Sequence, residues 1–297
     1  MIRLYSYKNN FGDDLSPYII SKLSGQKVLF NKPFTMINLV IDFLRFVKKA
    51  LLKAEIDTSL LRYNPFNKVV LGIGSILQES TSNCLVWGSG LASKDINIKG
   101  GKFLAVRGPL SQKRLDDLGY KVPSAIGDPA LLLPLVYPSK KNKLKKRYNF
   151  GIIPHKNDYN DIYAYFKKKE LNNYLIIDLV EPNLEKVIDQ FLSCDHILST
   201  SLHGLIVAHA YGIPAIWFEK NILLGDGSKF KDYFLSIGIK PYQPNSFNEL
   251  DFSNADYITE LFDKNKKNSL PRFDVKNIQN DLIQAAPFHI QNKFKSI

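Results

Sequence analysis

Residues 194–219 read CDHILSTSLHGLIVAHAYGIPAIWFE, and their pattern decides the fold class. A short apolar run at 196–198 ends in small polar residues, and an apolar stretch at 204–211 follows, long enough for two helical turns. Gly212 stands just past it, where helices commonly end in a left-handed residue. A second apolar run, 215–218, comes directly afterwards. Strand, helix and strand at this spacing form a βαβ unit, whose strands lie parallel in one sheet. The same alternation continues outward from it. Towards the N-terminus, strands are expected at 150–153 and 174–179, with helices at 159–169 and 183–192. Further back come strands at 2–7, 69–73, 85–87 and 103–106, and helices at 17–23 and 109–118. Ser16 is expected to cap the helix at 17–23, with Pro17 in its first turn, where a missing N–H costs nothing.

The chain is therefore α/β. A proline-flanked, lysine-rich, aperiodic stretch at 138–149 separates two alternating sets. It predicts two Rossmann-like domains, 1–138 and 150–268, facing across a cleft, with 269–297 as a less periodic tail that returns to the first domain.

Composition narrows the function classes. The 297 residues are 45% hydrophobic and 23% charged, a globular balance. Cys84 and Cys194 stand far apart, outside any ligand-spaced cluster, which argues against a disulfide framework and a structural zinc site. No signal peptide is visible at 1–7, and no apolar run approaches the roughly 20 residues of a membrane span, so a cytoplasmic protein is expected. A net charge of +12 calls for an anionic partner. Much of the excess lies in Lys140, Lys141, Lys143, Lys145, Lys146 and Arg147, and in Lys264, Lys266 and Lys267. Both runs read as solvated connections, and no nucleic-acid-binding signature accompanies them, so no nucleic-acid partner is expected.

The segment 36–53 repeats Met36, Val40, Phe43, Leu44, Val47 and Leu51 at helical spacing, with Arg45, Lys48, Lys49 and Lys53 among the remaining positions. Two readings stand: an amphipathic helix on the domain surface, or a helix lying peripherally on an anionic membrane.

Four glycine-containing loops follow expected strands: Gly72-Ile73-Gly74-Ser75, Gly88-Ser89-Gly90, Arg107-Gly108-Pro109 and Gly127-Asp128-Pro129. Ligands of parallel sheets bind at such carboxyl ends, where glycine lets backbone amides approach an anion. None of the four matches a Walker loop or a dinucleotide fingerprint. Arg107 is placed to clamp a carboxylate or phosphate, or else to pair with a nearby acid. His203, where Ser199-Thr200-Ser201 gives way to a helix, is able to move a proton near neutral pH or simply to bond the turn. His155 is a second cleft candidate, while His196 and His209 read as core or surface. Asp128 before Pro129 reads as a helix N-cap rather than a catalytic group. Asp13 is free to face the cleft, because Ser16 is the expected cap.

Taken in order, Asn10-Phe11-Gly12-Asp13, Gly72–Ser75, Val86–Gly90, Ala105–Leu110, Gly127–Ala130, Pro154-His155, Ser201–Gly204 and Tyr211–Pro214 resemble the polysaccharide pyruvyl transferase family, as does Lys229–Tyr233. The arginine-glycine-proline and serine-leucine-histidine-glycine elements are the most specific, and are most similar to the branch acting on succinoglycan-type exopolysaccharides. The resemblance implies a GT-B-like pair of domains, phosphoenolpyruvate as donor substrate, no cofactor, and a cyclic ketal formed on a glycan acceptor, free or lipid-linked. It also implies that Arg107 holds the donor's anionic groups and that His203 is the essential histidine. Gly74, Ser75, Gly88, Ser89, Gly90, Ser201 and Asp13 would line the substrate site. Some members carry an arginine where this chain has Ser201, and His155, Lys156 or Lys229 would then supply the charge. Two other classes remain open on sequence: a nucleotide-sugar glycosyltransferase of the same architecture with Glu219 on the ribose, and a noncatalytic binder of anionic glycans or membranes.

Overall fold

The computed structural model describes residues 1–7, 11–52, 66–139, 147–221 and 226–295. Asn10, Lys53, and Lys140, Lys141, Lys143, Lys145 and Lys146 of the expected linker lie outside the described residues.

The first sheet contains β1 (Ile2–Tyr5), β2 (Val28–Phe30), β3 (Val69–Leu71), β4 (Cys84–Trp87), β5 (Lys102–Val106) and β6 (Ala125–Ile126), in the order β2-β1-β3-β4-β5-β6, all parallel. The second contains β7 (Tyr148–Ile153), β8 (Tyr174–Ile176), β9 (Cys194–Ser199), β10 (Ala215–Glu219) and β11 (Asn245–Ser246), in the order β8-β7-β9-β10-β11, again parallel. Counted from its own first strand, the first sheet runs 2-1-3-4-5-6 and the second 2-1-3-4-5. In that order the connections diverge after the first and third strands and leave a crevice between their carboxyl ends. The two crevices lie at β1/β3 and β7/β9.

Around the sheets run α1 (Phe11–Ser24), α2 (Met36–Leu51), α3 (Pro109–Asp117), α4 (Leu133–Val136), α5 (Tyr159–Lys168), α6 (Leu184–Leu192), α7 (Leu202–Ala210), α8 (Ser228–Ser236), α9 (Ala255–Lys264) and α10 (Val275–Gln284). Asn183 caps α6 by accepting from Lys186 N. Helix α1 corrects the expected start at Pro17: it begins at Phe11, and Pro17 lies inside it. Proline within a helix forfeits a backbone bond, but Leu15, Ile19, Ile20 and Leu23 are all fully buried on one face, and their packing outweighs that loss. Ser16 is no cap; its Oγ accepts from Ile73 N at 3.2 Å and ties α1 to the end of β3. Lys264 is likewise not in a connection but in the last turn of α9, paired with Glu260 one turn earlier.

A buried cluster spans both sheets, including Leu4, Leu15 and Trp87 on one side and Ile153, Val207 and Trp217 on the other. Helix α10 closes over the first sheet: Trp87 Nε1 donates to Leu282 O and Gln279 Nε2 to Leu131 O, each at 2.7 Å.

Candidate active site

The two crevices open into one cavity of about 230 Å³. The β1/β3 side supplies Tyr7, Asp13, Gly74, Ser75 and Ile76. The β7/β9 side supplies His155, Ser201, Leu202 and His203, and Ala92 and Lys229 complete the wall.

His203 lies in the first turn of α7, which Ser201 precedes as N-cap residue without a side-chain cap bond. Instead Ser201 N donates to Ser199 Oγ at 2.9 Å, so the turn is held from beneath. The His203 ring packs against the first turn of α1, where Gly12 is required by close approach: a Cβ there would lie 2.6 Å from the ring Cγ. On another side Nε2 stands 3.8 Å from Asp128 Oδ2, beyond hydrogen-bond length. Both atoms are buried and have no hydrogen-bond partner among the described residues. Burial first, then the charges of Arg107 and Lys229, push the imidazole down to about 3, so it is neutral at physiological pH.

Asp128 is the expected N-cap, its Oδ1 accepting from Ala130 N at 2.9 Å. Its other oxygen faces His203, a second role that the Asp-Pro pattern did not reveal. Burial raises its carboxyl to about 6. Asp13 is only 2% exposed and accepts from Tyr7 N at 3.1 Å. Burial raises it to about 7, opposed by that hydrogen bond and reinforced by Asp14 and Asp128. Asp13 and His203 thus line the cavity with proton affinities shifted far from their ordinary ranges, and Asp128 is shifted behind His203, a pattern concentrated at catalytic sites.

Arg107 is fully buried and does not line the cavity. Nε donates to Asp232 Oδ2 at 3.2 Å, one terminal nitrogen to Ser75 Oγ and the other to Leu91 O, both at 2.7 Å. Asp232 also takes Ser111 N and Ser111 Oγ. This network fastens α8, which carries Lys229, to the start of α3. Gly90 is small because the guanidinium passes over it; a Cβ would come within 2.5 Å of Nε. Gly88, Ser89 and Gly90 are also absent from the lining. Ser89 Oγ donates to Gly72 O and Gly90 N to Gly74 O, bonds that shape the floor behind Gly74 and Ser75. Asp232 lies in the Lys229–Tyr233 motif, three residues from Lys229 on the same helix, and that spacing was the available signal for it.

Lys229 brings positive charge into the cavity, its ammonium lowered by burial and by Arg107 and raised by Glu219. His155 is lowered by burial and Lys229. The His155 backbone N–H donates to Thr200 Oγ1, which donates to Asp158, itself bonded by Asn221. His209 is core, with Nδ1 2.9 Å from the Tyr233 hydroxyl, and His196 packs on Phe150 and Phe262. A larger cavity of about 710 Å³ lies on the other flank of the α1 turn, between Asp14, Pro17 and Tyr18 and the segment from Leu179 to Leu184.

Two parallel sheets with interleaved helices, and a cavity lined from both by an acid, imidazoles and a lysine, define an α/β protein. The family model for polysaccharide pyruvyl transferase matches residues 10–220. An uncharacterized protein of Acanthamoeba polyphaga mimivirus is 31% identical over 209 residues, spanning 66% of this chain and 69% of that protein. No solved structure matches. The chain belongs to the polysaccharide pyruvyl transferase family.

Proposed function

We propose that the protein transfers the pyruvyl group of phosphoenolpyruvate onto two hydroxyls of one sugar in a surface, capsular or exopolysaccharide, giving a cyclic ketal and phosphate. The observation that carries this is the single cavity of about 230 Å³ in which Lys229, His203, Asp13, Ser75 and Ser201 converge. Its size suits a three-carbon ester rather than a nucleotide sugar, since larger ligands occupy about 300–1,000 Å³. Glu219, which a glycosyltransferase would need on the ribose, is not among the lining residues. The matching strand orders support two Rossmann-like units in a GT-B-like arrangement, divided near 138–149.

In this mechanism the donor's anionic groups meet Lys229, the Ser75 and Ser201 hydroxyls and the free amides at the start of α7. Arg107 acts from behind, orienting Ser75 and adding positive field. Protonation of the donor methylene carbon makes the central carbon electrophilic, and Asp13, raised to about 7, is the proton source. Neutral His203 takes the proton of the first sugar hydroxyl as its oxygen bonds to the central carbon, and Asp128 steadies the imidazolium formed. The second hydroxyl then bonds to the same carbon, the carbon–oxygen bond to phosphate breaks, and phosphate leaves with the remaining proton.

Purified protein mixed with phosphoenolpyruvate and candidate glycans, free or lipid-linked, is expected to release phosphate and yield an acceptor heavier by one pyruvate less water. Thermal stabilisation by UDP- or CMP-sugars but not by phosphoenolpyruvate would overturn the assignment.

A further inference from the structure

The connection from β2 to β3 is an excursion whose two ends are clasped by one buried side chain. Asn83 Oδ1 accepts from Phe34 N at 3.0 Å and its Nδ2 donates to Asn67 O at 2.9 Å. Asn83 directly precedes β4 and Asn67 comes just before β3, so the clasp sits at the amino ends of these strands, opposite the cavity. Between its ends runs α2, whose side chains are all exposed among those described. Ile37 is 71% exposed, Met36 65%, Phe43 63% and Leu51 79%.

At about 100° per residue, Met36, Val40, Phe43, Leu44, Val47 and Leu51 form one apolar stripe, and Ile37, Leu39, Ile41 and Phe46 widen it on both sides. The apolar arc exceeds half the circumference, broader than the seam one partner helix covers. Arg45, Lys48 and Lys49 lie in its C-terminal half, in a chain of net charge +12. No described helix is long and apolar enough to cross a membrane. A wide apolar arc bordered by basic residues matches the boundary of an anionic bilayer, which buries the arc in acyl chains and meets the cations with headgroups.

We propose that α2 lies in the surface of an anionic membrane and holds the cavity on the side facing away from it. The inference is independent of the reaction assigned above, because it is tested without substrate. The full chain is mixed with phosphatidylcholine vesicles, with or without phosphatidylglycerol, and sedimented. Binding is expected to the anionic vesicles and to weaken with salt. Lys48→Ala with Lys49→Ala should weaken it by roughly 30-fold, from about fivefold per basic residue. Phe43→Ser with Val47→Ser should abolish it, with an unchanged near-UV circular dichroism spectrum showing an intact fold. Failure of the native chain to bind any vesicle, or equal binding by the serine variant, overturns the proposal. So does a concentration-dependent dimer that the serine variant converts to monomer in the absence of vesicle binding, which assigns the face to a second copy.

Discussion

Asp13 and His203 bind protons in opposite senses, and each makes a distinct prediction. The folded state holds Asp13 at about 7 against 3.8 in a free chain, so it retains the proton over that window and loses stability as pH rises through it. Asp13→Asn keeps an acceptor for Tyr7 N and removes the buried charge. It should be more stable than the native chain at pH 8, by on the order of a few kcal/mol, with the gain fading below about pH 4; urea unfolding across pH measures this. If Asp13 supplies the proton, native turnover falls above pH 7 and the variant is inactive at every pH. His203, lowered from 6.5 to about 3, loses stability as pH falls below 6.5. His203→Gln should remove that acid loss and cut turnover by about 10²–10⁴-fold. The sequence exposed both side chains as candidates. It did not reveal the 3.8 Å approach of Asp128 to His203, because an Asp-Pro pair is fully accounted for by its cap.

At the scale of elements, α8 and the start of α3 are joined by the buried Arg107–Asp232 pair. Asp232→Ala leaves a guanidinium unpaired in the interior and is expected to cost about 3–5 kcal/mol of stability. Arg107→Ala should likewise lower the melting temperature before any effect on donor binding is read. Lys229→Ala should leave the melting temperature nearly unchanged and raise the donor KM. Equal effects of the Arg107 and Lys229 substitutions on KM, with no loss of stability in either, would put the arginine on the substrate. The contact of α1 with α7 offers a second test. Gly12→Ala ordinarily favours a helix by roughly 0.5–1 kcal/mol; here the methyl group displaces the His203 ring and turnover is lost instead. The Phe11-Gly12-Asp13 motif was visible in the sequence, but its partner lies 191 positions away, and local pattern carries no such distance.

For the whole molecule, a buried cluster shared by both sheets and the closure of α10 over the first predict one cooperative transition. Calorimetry should show a single peak that moves upward with phosphoenolpyruvate. Two separable peaks would mean that the halves fold independently. Removing 270–297 should abolish the transition, since it strips the partners of Trp87 and Leu131.

Alternation of apolar runs with helical stretches determined the α/β class, and most long strands and helices, because burial of one face imposes a period that local sequence must carry. It also placed the glycine loops, Arg107 and His203 at strand ends, and read Asp13 as a group free to face the cleft. Only the tertiary structure decided that α1 runs through Pro17, since the packing of Leu15, Ile19, Ile20 and Leu23 overrides a local breaker. Only it separated Lys229, which faces the cavity, from Arg107, which stands behind it. Both are basic residues near glycine or a helix start, and which of them meets solvent depends on Asp232, contributed from 125 positions along the chain.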